Sequence, residues 1–375
     1  MEAEERVRLV DVWVGVRDPR QAKKVEHELV DLLVVAVCAV LSGADTFVEI
    51  EAWAKEKLDW LRKYLRLEHG IPCHDTFGRV FAAIDPDEFA AAFLRWVGQV
   101  LPALAKDEVV AIDGKTSRRS GKAGTPPLHL VSAFAAQAGL VLGQRATAAK
   151  SNEKTAIPEL LATLALEGCI VTIDAMGTQP NIARAIRHRG ADYILAVKDN
   201  QPTLAESIGD FISAFAAAPG KTPHQVHEVV EKDHGRLEVR RCYVFDQLDC
   251  LHAPERWPDL KSFAMITSER TIQGKTTVEH RFYISSLAPD AQRMNQAVRQ
   301  HWRVENRLHW CMDVVFGDDQ MRARTDHAAQ NFAVLRQFVL NLLRLAPVRR
   351  KGGLKVQRLI AATSDTFRAQ VLGLV

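Results

Sequence analysis

The chain has 375 residues, of which 47% are hydrophobic, so it is long enough to hold two domains around a sizeable core. Its formal net charge is only +3, so any nucleic-acid-binding surface would have to come from local clusters of Lys and Arg. The longest apolar run, residues 32–41, is too short to span a membrane, no export signal is recognisable, and the six cysteines show no CxxC spacing. These features argue against a membrane protein, a disulfide scaffold or a zinc–cysteine site, and they favour a cytoplasmic protein.

The first 103 residues have helical periodicity and predict a helical N-terminal region. One helix should end at Ser42-Gly43, because glycine commonly follows a helix terminus. Apolar residues at helical spacing predict another helix over residues 47–64. Further helices should begin at His74 and at Asp85-Pro86, where Asp is an N-cap and the helix runs to about Val100.

The periodicity becomes strand-like near residue 106. The predicted elements are a strand at 109–113, a hairpin of strands at 128–135 and 140–147, a helix at 153–166, a strand at 169–174, a helix at 179–189 and a strand at 193–197. This order is that of an α/β, ribonuclease-H-like core.

The rest of the chain adds strands and then helices to this core. Residues 203–285 contain four more strand patterns and are interpreted as a β-rich insertion, and a helix is predicted from about 326 to 345. We therefore expect a ribonuclease-H-like domain over residues 106–345. A basic tail should follow over residues 346–375, in which Arg349, Arg350 and Lys351 are a weak signal for DNA contact.

Two aspartates occupy equivalent places in this core. Asp113 follows the apolar run 109–112, and Asp174 follows the run 169–173. Taken singly, each is more often a turn residue. On neighbouring strands they would lie close together, at the edge where open α/β sheets bind ligands. Because two close carboxylates resist joint ionisation unless a cation neutralises them, the pairing predicts a metal site.

A downstream helix around residues 301–310 carries Glu305. Its arginines, Arg299, Arg303 and Arg307, recur every four residues, so the segment also fits a surface helix with Glu–Arg pairs. Periodicity does not distinguish these interpretations. Brought beside the two aspartates, Glu305 would complete an oxygen-ligand site suited to Mg²⁺ and phosphoryl transfer, and so would indicate a DNA-cutting enzyme.

The loop after Asp113 is rich in cations. Gly114-Lys115-Thr116 resembles the end of a phosphate-binding loop, but Val109 stands where that motif requires glycine, so a nucleotide cofactor is not expected. Lys115, Arg118, Arg119 and Lys122 are better interpreted as contacts to DNA phosphates. A merely solvated loop is the alternative.

Seven blocks carry a family resemblance that covers nearly the whole chain. They are IPCHDTFGRVF (71–81), AIDGKTSR (111–118), VTIDAMGTQ (171–179), YILAVKDNQP (193–202), HGRLEVR (234–240), RFYISSL (281–287) and HWRVENRLHWCMDVVFGDD (301–319). With these blocks the sequence resembles the H-repeat-associated group of bacterial insertion-sequence transposases, one branch of the DDE superfamily. The last block is the most specific. The first block, at residues 71–81, lies in the N-terminal region, which is associated with DNA in this family.

The resemblance implies that Asp113, Asp174 and Glu305 form the catalytic metal triad of a DDE core. They would hold two Mg²⁺ ions about 3.5–4 Å apart, with Mn²⁺ able to substitute. The reaction implied is attack by water, and later by a terminal 3′-hydroxyl, on a phosphodiester. The implied partners are insertion-sequence ends and target DNA, bound by a homo-oligomer at the nucleoid without ATP or a membrane.

The sequence departs from the wider superfamily around the catalytic Glu. Tyr, Arg and Lys often stand at −7, −4 and +7 from that residue, but here these positions are Val298, His301 and Met312. Any of Arg299, Arg303 and Arg307 could supply the missing contacts to DNA. Two alternatives stay open: a metal-dependent nuclease that does not join strands, and a domesticated DNA-binding protein without catalysis.

Overall fold

The computed structural model describes residues 9–101, 103–121, 124, 126–147, 152–233, 235–348 and 351–374. Lys122, His234, Arg349 and Arg350 lie outside these ranges. Within the described residues, fourteen α-helices accompany one nine-stranded sheet.

The N-terminal region is helical, as predicted. Its helices are α1 (Leu9–Trp13), α2 (Leu29–Leu41), α3 (Phe47–Glu56), α4 (Leu58–Leu61), α5 (His74–Ala83) and α6 (Pro86–Val100). Asp85 caps α6 by accepting hydrogen bonds from two backbone amides of its first turn. The single helix predicted over residues 47–64 is wrong, because the backbone leaves α-helical geometry at Lys57 (φ −109°, ψ 14°). The chain after this break forms α4, which buries Trp60 and Leu61.

The sheet contains the core predicted from the sequence. Its strands are β1 (Val109–Thr116), β2 (His129–Ala135), β3 (Leu140–Thr147), β4 (Ile170–Ile173), β5 (Asp192–Val197), β6 (Gln225–Asp233), β7 (Arg236–Phe245), β8 (Ser262–Ile272) and β9 (Lys275–Ser285). Strands β1, β4 and β5 are parallel, and β2 and β3 form an antiparallel hairpin beside β1. The order β3-β2-β1-β4-β5 is ribonuclease-H-like, so the fold prediction is confirmed.

The segment predicted as a β-rich insertion extends this sheet. Strands β6 to β9 form an antiparallel meander, and β9 pairs with β5. The helices outside the N-terminal region are α7 (Glu153–Ala162), α8 (Pro180–His188), α9 (Pro202–Ala217), α10 (Ala291–His301), α11 (Trp310–Val314), α12 (Ala328–Leu345), α13 (Leu354–Thr363) and α14 (Asp365–Leu372). Helix α10 packs on β1 and β4, and the chain that follows it therefore reaches the carboxyl ends of these strands.

Helix α12 connects the N-terminal helices to the sheet. It packs against α2, α5, α6 and β3. Asn341 accepts a hydrogen bond from the Val141 amide at 3.0 Å and donates one to the Val141 carbonyl at 2.8 Å. The side chain thus satisfies backbone groups on the edge strand β3, which would otherwise be unpaired. One continuous hydrophobic core includes residues of both regions.

The segment predicted as a basic tail contains two folded helices, α13 and α14, both of which pack on α2. The guanidinium of Arg368 lies 4.0 Å from the centre of the Trp60 ring, and the residue is fully buried. Arg358 is also buried and donates to the Val40 carbonyl at 3.0 Å. These two arginines stabilise the packing of the C-terminal helices.

Candidate active site

Asp113 and Asp174 lie side by side at the carboxyl edge of the sheet. Strands β1 and β4 pair in parallel up to the residues directly before the two aspartates. The Gly114 amide donates to Asp113 Oδ1 at 2.9 Å. Asp174 accepts from two amides of the short 3₁₀ turn that it begins, at 3.1 and 3.4 Å. The backbone therefore orients both carboxylates.

Glu305 reaches the same edge from the helical segment after α10. A π-helical turn, Glu305–His309, connects this segment to α11. The Trp310 amide donates to the Glu305 carbonyl five residues earlier, which is the hydrogen bond of a π turn. The structure thereby brings ligand atoms of Glu305, Asp113 and His309 within 4.8 Å of one another. Asp174, beside Asp113, is not part of this trio.

His309 is a residue that sequence reasoning missed. Its Nδ1 lies 3.5 Å from Asp113 Oδ2 and 3.6 Å from Glu305 Oε2. The residue is 8% exposed, and its Nε2 is buried with no hydrogen-bond partner among the described residues. The available signal was its four-residue spacing from Glu305, which places both side chains on one helix face. A search for pairs of histidines cannot detect that pattern.

Negative charge is crowded at this site. Burial, together with the neighbouring Glu305 and Asp174, raises the pKa of Asp113 from 3.8 to about 6, although His309 opposes the change. His309 lowers the pKa of Glu305 below its ordinary value. A divalent cation would neutralise the buried charge, and carboxylate and imidazole groups are ligands for such ions. The residues present therefore fit a metal.

A second acidic cluster close to the loop after Asp113 has its own cations. Asp313, Asp318 and Asp319 surround the Lys115 ammonium, with N–O distances of 2.7, 3.1 and 3.7 Å. Arg336 lies 2.8 Å from Asp318. Because Lys and Arg already neutralise this cluster, we do not assign a metal to it. The Lys115 side chain is 16% exposed, so this cation, predicted to contact DNA, is engaged within the protein.

The two arginines that follow in this loop are exposed. The Arg118 side chain is 83% exposed and lies 3.5 Å from Asp319. Arg119 donates to the side-chain carbonyl of Gln320. Both guanidinium groups therefore lie at the surface, on the loop that begins at the end of β1.

The arginines around Glu305 are not brought to the carboxylates. Arg303 and Arg307 donate to the Ala136 carbonyl at 3.3 and 3.1 Å, beside the start of β1 rather than its end. Arg299 lies 3.0 Å from Glu231. The four-residue spacing puts the arginines on one face of the helical segment, as the sequence indicated, but that face is directed away from Asp113.

His301 stands four residues before Glu305, where the superfamily often has arginine. Its Nδ1 lies 2.9 Å from Thr172 Oγ1, and burial lowers its pKa to about 4. The imidazole is therefore neutral near pH 7 and does not replace a cation. It lines an open cavity of about 630 Å³ together with Asp174, Arg281 and Trp302. The Arg281 guanidinium stacks 4.5 Å from the centre of the Trp302 ring.

Comparisons with known proteins identify the family of the chain. The family described as transposase DDE domain matches residues 104–342, and the DDE_Tnp_1-associated family matches residues 10–97. "H repeat-associated putative transposase YhhI" of Escherichia coli (strain K12) is 40% identical over 369 residues, covering 95% of each chain. "Putative transposase YncI" of Escherichia coli O157:H7 is 39% identical over 377 residues, covering 97% of this chain and 94% of the relative. A solved piggyBac transposase synaptic complex with hairpin DNA is 9% identical, with a TM-score of 0.44 over 95% of this chain and 75% of its own.

The sheet order and the acids at its carboxyl edge define a DDE-type domain of ribonuclease-H-like fold. The chain belongs to the DDE transposase family, and within it to the H-repeat-associated group. Membership implies an enzyme of the nuclease and transposase type that uses a divalent metal. Among the helices of the described ranges, none combines the length and apolar character needed to cross a membrane.

Proposed function

We propose that this protein is an active transposase that cuts insertion-sequence ends and joins them to target DNA. The observation that carries the proposal is the convergence of Asp113, Asp174 and Glu305 at one edge of the sheet. These residues would hold two Mg²⁺ or Mn²⁺ ions. When bound, the metal would activate the attacking oxygen and stabilise the leaving oxygen.

In this proposal the metal-binding side chains would be held in place before DNA binds. Backbone amides orient the carboxylates of Asp113 and Asp174, and the π turn fixes the position of Glu305. Fixed groups need little reorganisation during a reaction, which favours catalysis. Strand transfer makes one phosphodiester for each that it breaks, so the reaction needs no nucleotide cofactor.

Exposed arginines would hold the DNA backbone beside these residues. Arg118 and Arg119 lie on the loop that follows Asp113, and Arg324 donates to the Arg119 carbonyl at 2.8 Å. Arg324 also lines a groove of about 630 Å³ together with Arg79 of α5 and Arg322. Guanidinium groups bind phosphates well. We infer that DNA runs from this groove, beside the N-terminal helices, towards Asp113, and that the active complex is a homo-oligomer.

The test is a strand-joining reaction with the purified full chain. The substrate is a labelled duplex with the DNA that flanks the gene of this protein, and a supercoiled plasmid is the target. We expect nicks with 3′-hydroxyl ends at fixed positions, followed by joined products, in Mg²⁺ or Mn²⁺. Nicks without joined products would indicate the nuclease. Specific DNA binding without nicks would indicate the non-catalytic DNA-binding protein.

A further inference from the structure

Within the part of the chain that the structure describes, His309 differs from the two histidines that pair with a glutamate, His129 and His74. His129 Nε2 lies 2.6 Å from Glu153, and His74 Nδ1 lies 2.6 Å from Glu51, both hydrogen-bond distances. His309 Nδ1 instead lies 3.5 Å from Asp113 and 3.6 Å from Glu305. A histidine that only neutralised one of these carboxylates would be expected to close to hydrogen-bond distance, as the other two do.

The observed distances are close to those between ligand atoms that share a small cation. Metal–ligand bonds of about 2.1 Å put neighbouring ligand atoms roughly 3.0–3.4 Å apart in octahedral or tetrahedral sites. One ligand atom from each of Asp113, Glu305 and His309 lies within 4.8 Å of the other two. His309 is also more than nine-tenths buried, so its direction is fixed by packing. Its ring therefore presents Nδ1 to the acids.

The opposite ring nitrogen has surroundings that suit a metal-bound histidine. Such residues usually donate their second N–H to an acceptor, which fixes the tautomer. His309 and Gln337 line one cavity of about 20 Å³, which is enough for one water molecule. Neither His309 Nε2 nor Gln337 Oε1 has a partner among the described residues. A water in this cavity would accept from Nε2 and donate to Gln337, leaving Nδ1 unprotonated.

We propose that His309 Nδ1 is a third protein ligand, with Asp113 and Glu305, of one divalent metal. The inference rests on the proposed function, because it concerns the metal of the same site. Imidazole nitrogen favours transition-metal ions over Mg²⁺ more than carboxylate oxygen does. The site should therefore discriminate between Mn²⁺ and Mg²⁺ more strongly than an all-carboxylate site would.

The test is pulsed electron paramagnetic resonance of Mn²⁺ bound to the full chain, which detects a nitrogen nucleus bonded directly to the ion. The wild type should show this coupling, and growth on the heavier nitrogen isotope should change it. His309→Gln should remove the coupling and weaken Mn²⁺ binding by about tenfold or more. His301→Gln is the matched control, since it alters another buried histidine beside the same acids, and it should retain the coupling.

Each outcome has a distinct meaning. In one outcome the wild type binds Mn²⁺ without nitrogen coupling, and Asp113→Asn loses the ion. That result would overturn the His309 inference and leave the proposed transposase intact. Coupling that persists in His309→Gln would overturn it as well. If His309→Gln does not fold by circular dichroism, the wild type and His301→Gln decide together, because coupling that survives the loss of His301 leaves His309 as the imidazole beside these acids, and absence of coupling in the wild type overturns the inference. If Mn²⁺ shows nitrogen coupling but the protein never joins strands, the His309 inference is supported and the proposed transposase function is refuted.

Discussion

Gly114 lies directly against the buried carboxylate of Glu153. A Cβ atom at position 114 would come within 2.3 Å of Glu153 Oε1 and 2.7 Å of His129 Nε2. Glu153 is paired with His129 at 2.6 Å, and His129 Nδ1 lies 2.7 Å from Thr116 Oγ1. The backbone next to Asp113 is therefore locked against α7 and β2 by a buried polar pair.

We expect Gly114→Ala to destabilise the protein by roughly 1–3 kcal/mol, because the added methyl group overpacks the buried pair. Chemical unfolding measures the loss. Gly98→Ala is the control: Gly98 is exposed in α6 and a Cβ there meets no atom within 4 Å. That variant should be more stable than the wild type by roughly 0.5–1 kcal/mol. Equal changes in unfolding free energy in the two variants would contradict the close packing of Gly114 against Glu153.

The Asp113 carboxyl should make the metal-free protein less stable as pH rises. Its folded pKa of about 6 exceeds the ordinary value of 3.8, so between these values the folded state binds more protons than the unfolded state. The contribution of this carboxyl to stability is therefore fully present below about pH 4 and is lost as pH rises through 6. The full change in pKa corresponds to a loss of at most about 3 kcal/mol in the free energy of unfolding.

Asp113→Asn should remove this part of the pH dependence. In EDTA, the variant should match the wild type near pH 4 and be more stable at pH 7, as measured by urea unfolding. Asp59→Asn, at an exposed position, controls for the loss of one negative charge. Parallel curves of unfolding free energy against pH for the wild type and Asp113→Asn would show that the pKa of Asp113 is not raised in the folded protein.

The exposed loop arginines should contribute to DNA affinity without sequence preference. Replacing Arg118 and Arg119 by Ser should weaken binding to all duplexes alike and lower the salt slope by roughly one per lost phosphate contact. Binding curves at several salt concentrations, on flanking and scrambled DNA, test this. Arg303→Ser is a matched control, because that side chain is exposed but lies beside Ala136. A slope unchanged by the double substitution would mean that the loop is merely solvated.

Lys115 should affect stability more than DNA binding. Lys115→Met leaves Asp313, Asp318 and Asp319 without their shared cation, and breaking such a buried pair costs roughly 3–5 kcal/mol. Thermal or urea unfolding measures the loss. Lys55→Met, which removes an exposed pair with Glu51, should cost less than about 1 kcal/mol. If Lys115→Met has normal stability but a reduced salt slope of DNA binding, Lys115 contacts DNA after all.

The core strands and the pair of aspartates could be predicted because both follow from local patterns. Apolar β-branched runs form buried strands, and residues that end neighbouring parallel strands meet at one edge. Asp113 and Asp174 therefore appear in their correct relation from sequence alone. The break at Lys57 was not predictable, since the same helical spacing continues on both sides of it.

The contacts of the charged residues could not be predicted, because they depend on distant parts of the chain. Lys115 meets Asp318, 203 residues away, and no local pattern marks that pairing. Helical spacing grouped Arg303 with Arg307 correctly but did not say which way their face points. Only the packing of α10 on β1 and β4 decides this, and it directs His309 rather than the arginines to Asp113.

The most direct measurement of the central claim is strand joining by the wild type and by Asp113→Asn, Asp174→Asn and Glu305→Gln on the same flanking DNA. We expect joined products from the wild type in Mg²⁺ or Mn²⁺ and little product in Ca²⁺, whose longer and more numerous oxygen bonds suit assembly rather than turnover. Each variant should bind DNA with nearly wild-type affinity, since phosphate contacts supply most of it, and should form no product. Normal joining by any one variant would remove that residue from the active site, and joining by all three would contradict the account.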